Sequence, residues 1–463
     1  MSIHKGVRMR IFAEQAWQGG GWQKQLALTI EDGLIASIEN DALKQPDDVV
    51  VDTLLPALAN LHSHSFQRAM AGMTEFRAAG QESFWTWRTL MYKFLNHLTP
   101  EHVEAIASLV FLEMQEAGYA SVGEFHYVHH QIGGSRYEDR AELTNRIFAA
   151  AELTGIGLTH LPVLYSYGGP KALELSGGQQ RFGNTVDEYS ELVEDVVQKA
   201  SNSFVDAQVG IAPHSLRATT PGDMATLLEH FPNVPVHIHI AEQPKEVTDI
   251  HAWLGARPVD WLLANHDVGE NWCLIHATHM TDGETSDVAK SGAVVGLCPI
   301  TEANLGDGPF NGPQYLASKG RFGVGSDSNV RISLVEELRT LEYSQRLRDL
   351  SRNVMVETEG SVGKTLYLGA AKGGAQALNR RAGEITTGYL ADLVAIDSTH
   401  QHLCGLTVEQ IFDGVCFAAD DSIVSDVWCG GRHVVQGGQH ILREQILRNY
   451  RTAMNDLTKR LSV

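Results

Sequence analysis

The sequence predicts an α/β protein built around a (β/α)8 TIM-like barrel. Eight apolar, strand-like runs alternate with segments of helical character. The first run ends at His62 and the last at Asp327, a span of 265 positions, and such a barrel takes about 250 residues. Further short strand-like runs at both chain ends indicate that the barrel is not the whole protein.

The N-terminal segment predicts a β-hairpin. The runs "LALTI" and "LIASIE" flank Asp32-Gly33, a turn pair that joins antiparallel strands. The stretch "KQPDD" at 44–48 then reads as a linker. At the other end, "ADLVAID", "IVSDVWC" and "RHVVQ" predict more short strands separated by glycine turns.

The barrel strands are predicted from their apolar runs and from the helices between them. Thr99-Pro100 supplies an N-cap and a first helical residue before "EHVEAIASLVFLEMQEAG". The first strand leads from "VVVDTLLPALAN" to His62. The other seven lie in "YASVGEFHY", "IGLTHLPVLY", "AQVGIAPHSL", "VPVHIHIAE", "NWCLIHATHM", "GAVVGLCPI" and "RFGVGSDSN".

Composition excludes several classes of protein. A chain of 463 residues with 43% hydrophobic residues can bury a large core. The N-terminus has no apolar signal region, and no apolar run approaches the ~20 residues of a membrane span. The net charge of -20 argues against a nucleic-acid partner. Five cysteines without C-x-x-C spacing fit a reducing cytoplasm: Cys273, Cys298, Cys404, Cys416 and Cys429.

Residues that bind metals recur at the predicted strand ends, where barrel active sites lie. His62 and His64 end strand one, and residues two apart in a strand point the same way. His239, His276 and Asp327 end strands five, six and eight. Singly, each residue reads as a hydrogen-bonded loop or core residue. Together, three imidazoles and one carboxylate suit a divalent ion such as zinc, with one position open for water.

The stretch "HIHIAE" offers two histidines and a glutamate. His239 is the predicted ligand, since His237 lies about 6.6 Å deeper at ~3.3 Å per residue. His237 is either a packed core residue or a support for the ligands. Glu242, just past the strand end, is placed to carry protons between water and a leaving group. Its alternative role is that of an ordinary helix-start residue.

The motifs "LHSH", "HIHIAEQ", "LIHATHM", "GVGSDSN" and "GEITTGYLADLVAID" resemble the amidohydrolase superfamily across nearly the whole chain. The resemblance implies a metal-dependent hydrolase barrel at 56–380 and a small β-sandwich domain built from both chain ends. The sandwich would take residues 1–55 and 381–463, the latter including a terminal helix. "LHSHSFQRAMAGMTE", "SFWTWRTLMYKF" and "VGEFHYVHH" further resemble a family of deiminases that act on a linear amidine, N-formimidoyl-L-glutamate, in histidine degradation.

This resemblance assigns roles to residues. It implies the metal ligands His62, His64, His239 and Asp327, with Glu242, His276 and Asp327 catalytic. It also implies substrate contacts from Gln67, Arg88, Tyr127, His214 and Arg217. Members with two metals place a lysine or another bridging ligand on strand four, and "VGIAPHSLRAT" offers neither a lysine nor an acidic residue. One ion per chain is therefore expected, Zn2+ in the first place, with Fe2+ or Mn2+ also compatible. The stretch "GGPKALELSGGQQRF", around 168–182, diverges from the family and reads as either a mobile lid or an ordinary loop.

The implied chemistry is hydrolytic. Metal-bound hydroxide attacks the formimidoyl carbon, because coordination lowers the pKa of water to about 7. Asp327 takes the proton, His276 stabilises the tetrahedral intermediate and Glu242 protonates the departing nitrogen. Ammonia leaves and N-formyl-L-glutamate remains. Arg88 and Arg217 are expected to hold the two substrate carboxylates by paired hydrogen bonds.

Two alternatives stay open. A related barrel could deaminate a heterocycle such as guanine, cytosine or a purine nucleoside derivative, which would have less use for two arginines. A metal-free scaffold protein would show a broken ligand set, and none is broken here. The expected partner is a small dicarboxylate, with no nucleic acid or membrane, and a homodimer is the default for soluble oligomers.

Overall fold

The computed structural model describes residues 8–75, 84–203, 206–356 and 358–461. Residues 1–7 and 462–463, the outer edges of the predicted terminal domain, lie outside the described residues. The strands are β1 (Met9–Gln18), β2 (Gly21–Glu31), β3 (Leu34–Glu39), β4 (Val49–Pro56), β5 (Leu58–Ser63), β6 (Tyr119–His126), β7 (Gly157–Leu164), β8 (Gln208–Val209), β9 (Ala212–Pro213), β10 (Val236–Ile240), β11 (Trp272–His276), β12 (Val294–Leu297), β13 (Arg321–Val324), β14 (Leu393–Ile396), β15 (Val424–Cys429), β16 (Arg432–Gln436) and β17 (Gln439–His440).

Helices separate most of the central strands. They are α1 (Phe84–Leu95), α2 (Pro100–Glu116), α3 (Glu142–Thr154), α4 (Val186–Ser201), α5 (Pro221–His230), α6 (Pro244–Leu254), α7 (Pro258–Asn265), α8 (Asp282–Ser291), α9 (Pro299–Leu305), α10 (Gly312–Ala317), α11 (Leu334–Asp349), α12 (Val362–Ala377), α13 (Ile411–Phe417) and α14 (Arg443–Leu461).

Strands from both chain ends form one hydrogen-bonded sheet. Its order is β17-β16-β15-β14-β4-β1-β2-β3. β4 pairs in parallel with β1 and antiparallel with β14, so it joins the two chain ends. The predicted hairpin is confirmed: Asp32 (φ 50) and Gly33 (φ 82) turn β2 into β3. Both residues adopt the left-handed conformation that a tight hairpin turn requires.

The central strands run parallel in two groups, β5-β6-β7-β8 and β10-β11-β12-β13, with β9 paired to β7. Isolated bridges join Ile211 to Val236 and Ser215 to His239, which connects the β9 segment to β10. A further bridge joins Ser63, at the end of β5, to Asp327, which follows β13. The predicted strand sequence is therefore confirmed, although the fourth strand is split into β8 and β9.

Local sequence explains where the helices begin and end. Threonine side chains accept the N3 amide at the starts of four helices, and the confirmed cap at Thr99 is one of them. The other three are Thr185, Thr220 and Thr281. Left-handed glycines end α3, α6, α8 and α9. Both β6 and β7 are buried along their whole length, as expected for strands covered by helices.

The last helix, α14, lies against α2. Its Ile446 is fully buried and packs on Leu109 and Leu112. Within the described ranges, no helix is both long and apolar enough to span a membrane. The carboxyl ends of the central strands then carry the polar residues that the sequence singles out.

Candidate active site

Three histidines and Asp327 converge at the carboxyl ends of β5, β10 and β13. The Nε2 atoms of His62 and His239 lie 3.1 Å apart. Asp327 Oδ1 lies 3.5 Å from His62 Nε2 and 3.3 Å from His64 Nε2. All four potential ligand atoms lie within 4.8 Å of one another. Ligands bound at about 2.0–2.2 Å around a tetrahedral ion lie roughly 3.3–3.6 Å apart, so the spacing fits a divalent metal.

Backbone carbonyls orient two of these rings. His64 Nδ1 donates to the Phe125 carbonyl at 2.9 Å, and His239 Nδ1 donates to the His214 carbonyl at 3.0 Å. A carbonyl can only accept, so each ring carries its proton on Nδ1 and turns the lone pair of Nε2 toward the centre. This hydrogen-bonded arrangement is typical of histidines that ligate metals.

The protonation states also suit a metal. Burial lowers the pKa of His62 to about 3 and lowers the pKa values of His64 and His239. Burial alone would raise the pKa of Asp327, but its hydrogen bond to His62 and the nearby imidazoles hold that pKa below its usual range. Neutral imidazoles and an ionised carboxylate are the forms that bind a divalent ion.

The backbone that carries these ligands is strained and firmly held. Asp327 (φ 46) and His276 (φ 67) adopt left-handed conformations, which cost energy and concentrate at functional sites. Two backbone hydrogen bonds join Asp327 to the end of β5. The Asp327 N–H donates to the His62 carbonyl, and the His64 N–H donates to the Asp327 carbonyl. Beneath them, Asn60 donates to the Ser326 hydroxyl at 2.7 Å.

His276 faces the ligand cluster from β11 and is held from behind by Glu302. Its Nδ1 lies 3.2 Å from Glu302 Oε1, which also accepts from Cys298 N–H at 2.9 Å. Its Nε2 lies 3.8 Å from Asp327 Oδ2 and 4.0 Å from Glu242 Oε1. Burial opposes charge on this ring, but the hydrogen bond to Glu302 and the carboxylates around it raise its pKa to about 10. This shift favours the protonated ring, which can donate a hydrogen bond from Nε2 to a reacting oxygen or nitrogen.

A second group of possible ligands shares Asp327 and adds His276 and Cys298. Burial and the neighbouring carboxylates raise the pKa of Cys298 well above its ordinary value. A metal binds the thiolate, so this shift disfavours Cys298 as a ligand. The first group has the more suitable ligands.

Glu242 forms a buried ion pair with Arg217. Arg217 Nη2 donates to Glu242 Oε2 at 3.0 Å, and the two side chains are 8% and 6% exposed. Glu246, which is fully buried, lies 3.8 Å from Arg217 Nε and accepts from Glu242 N–H at 3.1 Å. The predicted proton carrier and one predicted substrate arginine are thus already in contact.

Arg88 and Gln67 also line the pocket. Arg88, on α1, donates to the Tyr165 hydroxyl at 2.5 Å and lies over the ring of Tyr92, 5.3 Å from its centroid. Gln67 donates to the Tyr127 hydroxyl at 2.6 Å. These donors and hydroxyls are placed to bind a polar ligand.

His214 lines the pocket beside the ligand cluster. Its ring centroid lies 4.9 Å from that of His239 and 4.6 Å from that of Tyr165. Burial, reinforced by the charges of Arg217 and Arg88, lowers its pKa well below the ordinary value, so the ring is neutral.

The divergent loop after β7 is anchored at its C-terminal half. Arg181 is buried and donates to backbone carbonyls of Leu95, Leu98 and His130. Gln179 donates to the Tyr165 hydroxyl at 3.2 Å, and Phe182 lines the pocket. This half of the loop therefore forms part of the pocket wall.

The structure brings all the predicted site residues together. Ten of the eleven line one pocket: His64, Gln67, Arg88, Tyr127, His214, Arg217, His239, Glu242, His276 and Asp327. The eleventh, His62, lies fully buried among them. His237 does not reach this pocket; it lies in the core, where its ring contacts the Ala377 carbonyl at 2.8 Å. The packed-core alternative for His237 is therefore correct.

Sequence reasoning missed several residues of the site. Tyr165 directly follows β7, so the strand-end rule could have found it. Glu246 and Glu302 looked like acidic residues in the first turns of helices α6 and α9, and only the three-dimensional structure reveals their contacts. Glu124, in the middle of β6, accepts from the N–H and hydroxyl of Ser65 and thereby braces the segment after His64.

Comparisons with known proteins agree with this geometry. Residues 53–434 match the model of the amidohydrolase family, and residues 9–50 match that of the N-terminal domain of formimidoylglutamate deiminase HutF. The formimidoylglutamate deiminase of Pseudomonas aeruginosa is 46% identical over 450 residues, covering 96% of this chain and 99% of its own. A 5-methylthioadenosine/S-adenosylhomocysteine deaminase of Bacillus cereus is 24% identical over 441 residues, covering 89% of this chain and 91% of its own.

Solved structures are similar as well. An amidohydrolase from Brucella melitensis superposes with a TM-score of 0.93 at 45% identity, covering 97% of this chain and 100% of that one. An adenosine deaminase from Xanthomonas campestris has a TM-score of 0.79 at 20% identity, covering 97% and 98%. The second similarity concerns the fold alone.

Proposed function

The chain belongs to the amidohydrolase family and is a close relative of formimidoylglutamate deiminase, and from this premise we propose how its site works. The enzyme hydrolyses a C–N bond of N-formimidoyl-L-glutamate in histidine degradation, giving N-formyl-L-glutamate and ammonia. One observation carries the proposal: the ligand cluster and two arginines, Arg88 and Arg217, line the same pocket. A linear amidine with two carboxylates needs a metal site for the hydrolysis and cations for the carboxylates.

The finer features of the fold are inferred from the family and from the bridges between strands. We infer that the parallel strands close into a TIM-like barrel over 56–380. The terminal sheet would then form the small sandwich domain from 1–55 and 381–463. A cytoplasmic location is consistent with the five cysteines, which form no disulfides in the structure. A homodimer is proposed only as the usual state of soluble oligomers.

The cluster of His62, His64, His239 and Asp327 would hold one divalent ion, for which zinc is the first candidate. When bound, such an ion supplies hydroxide at neutral pH by lowering the pKa of a coordinated water. Asp327 can accept a proton on Oδ2, which faces His276, while Oδ1 faces His62 and His64. Its low pKa keeps that oxygen ionised until the proton arrives.

The proton then has a short path to the leaving group. Addition of water makes the formimidoyl carbon tetrahedral, and the His276 imidazolium can donate a hydrogen bond to its substituents. Glu242, whose Oε1 lies 4.0 Å from His276 Nε2, can take a proton released by the attacking water and deliver it to the terminal nitrogen. The bond from carbon to that nitrogen breaks, ammonia departs, and the carbon becomes a formyl group.

The rest of the pocket selects the substrate. Among the described residues that line the pocket, Arg88 and Arg217 are the cations available for its carboxylates, and the protein as a whole is strongly acidic, with a net charge of -20. Gln67, Tyr127 and His214 can hold the glutamate half in place. Positioning of this kind brings the formimidoyl carbon to the ligand cluster in a reactive orientation.

The proposal is tested by identifying the products. Purified, metal-loaded protein incubated with N-formimidoyl-L-glutamate should release ammonia and N-formyl-L-glutamate in equal amounts. Release of formamide together with free L-glutamate would mean that the other C–N bond is cleaved, and would refute the proposed reaction.

A further inference from the structure

The buried contact between Arg217 and Glu242 joins substrate recognition to proton transfer. Arg217 Nη2 holds Glu242 Oε2 at 3.0 Å, while Glu242 Oε1 faces His276. The oxygen bound to Arg217 is therefore occupied before a substrate arrives. A proton carrier held in this way cannot turn freely toward a reacting nitrogen.

Glu246 gives the guanidinium a second acidic partner. Its side chain is fully buried, and its Oε2 lies 3.8 Å from Arg217 Nε. The same oxygen accepts from Glu242 N–H, so it fixes the backbone beneath the proton carrier as well. If Arg217 turns away from Glu242, its charge still has a nearby carboxylate, which lowers the cost of separating a buried ion pair.

We propose that Arg217 restrains Glu242 until a substrate carboxylate takes its place, so that the proton carrier is released only when an anionic substrate is bound. The inference rests on the proposed function and adds a specificity mechanism to it. A carboxylate entering the pocket offers Arg217 the same charge-assisted hydrogen bonds that Glu242 now accepts. An uncharged ligand offers nothing to exchange and leaves Glu242 restrained.

Arg88 provides the matched comparison. It is also an arginine of the pocket wall, but it donates to the Tyr165 hydroxyl and lies over Tyr92. Its replacement should weaken binding of a carboxylate while leaving the ion pair between Arg217 and Glu242 in place. The two arginines should therefore differ when the substrate carries no charge.

The test uses the metal-loaded full chain and two substrates. One is N-formimidoyl-L-glutamate, and the other is N-formimidoyl-L-glutamine amide, in which both carboxylates are amides. Arg217→Met should lower kcat/KM for the first and raise it for the second. The expected rise is about tenfold, a part of the roughly 100- to 10,000-fold that a positioned proton carrier supplies. Arg88→Met should lower kcat/KM for the dicarboxylate without raising it for the diamide.

Arg217→Gln repeats the test with a polar, uncharged side chain and should give the same two changes in kcat/KM, and thermal unfolding and metal content verify each variant. A purely binding role predicts an unchanged rate on the diamide, and structural damage predicts a lower one. Either result in both variants would overturn the proposal, as would loss of the folded, metal-loaded protein in both. Failure of the wild type to act on N-formimidoyl-L-glutamate would instead refute the proposed function.

Discussion

Replacing Glu242 with glutamine tests the assignment of the proton carrier. The change keeps the size of the side chain and an oxygen that can accept from Arg217 Nη2. It removes the negative charge and the ability to pick up and release a proton. We expect kcat to fall by roughly 100-fold or more, while the metal stays bound.

The structure also sets the expected cost in stability. Glu242 lies in a buried pair with Arg217, and losing one partner of such a pair costs about 3–5 kcal/mol. Here Arg217 keeps Glu246 at 3.8 Å, and the new amide can still accept a hydrogen bond. We therefore expect the free energy of unfolding to fall by only about 1.5–3 kcal/mol, the range for a hydrogen bond to a charged group.

The assay combines ammonia release, metal analysis and thermal unfolding on the same preparation. Glu229→Gln is the matched control, because Glu229 is exposed on α5 and the chemical change is identical. Near-normal turnover of Glu242→Gln with its metal intact would refute the reasoning and assign proton transfer to another group. Loss of the metal would instead place Glu242 among the ligands.

Three further predictions concern the metal, His276 and pH. Elemental analysis should find about one divalent ion per chain. Chelation and the substitution His239→Ala should each abolish activity. Two ions per chain, or activity that survives chelation, would contradict the single-ion site. Glu302→Gln should lower kcat by about 10-fold or more at unchanged metal content, because His276 loses the partner that orients and charges it; an equal loss from the exposed control Glu229→Gln would show that the effect is not specific. Burial raises the pKa of Glu124 to about 7, above the pKa of a glutamate in the unfolded chain. The stability that the protonated Glu124 contributes is therefore complete below pH 4 and is lost as the pH rises through 7. Glu124→Gln should reduce this loss of stability, by a few kcal/mol at most. The free energy of unfolding of both proteins is measured at pH 4.5 and 8, and an unchanged difference between the two pH values would show that Glu124 does not cause the loss.

The ligand set could be predicted from sequence because its signal is local. His62 and His64 stand two apart at a strand end, and His239, His276 and Asp327 each follow an apolar run. The periodicity of a strand and the rule that barrel sites lie at the carboxyl ends are enough to place them together. The same rule separated His239 from His237, which lies one layer deeper and contacts α12.

The support of these residues could not be predicted, because it depends on contacts between distant segments. In the sequence, Glu302 looks like an ordinary acidic residue in the first turn of α9. In the structure, its carboxylate contacts the ring of His276. Arg181 lies in a glycine-rich loop that reads as a possible lid, but its guanidinium ties that loop to α1 and to the segment after β6. No periodicity in the chain encodes such pairs.

The pairing of Arg217 with Glu242 shows the same limit within the site itself. Sequence and family resemblance assign one residue to substrate binding and the other to proton transfer. Their 3.0 Å contact links the two roles and appears only in the folded protein. Likewise, strands at both chain ends were predictable, whereas their union into one eight-stranded sheet depends on how β4 pairs with β1 and β14.

The substrate panel tests the central claim most directly. Wild type, Arg88→Met and Arg217→Met are assayed for ammonia release from N-formimidoyl-L-glutamate, its diamide, guanine, cytosine and adenosine. The account predicts efficient release from N-formimidoyl-L-glutamate, little from the diamide and essentially none from the heterocycles. Each arginine variant should lose about 2–5 kcal/mol of transition-state stabilisation on the dicarboxylate, roughly 30- to 5,000-fold in kcat/KM. Efficient turnover of a heterocycle, or variants that process N-formimidoyl-L-glutamate normally, would contradict it.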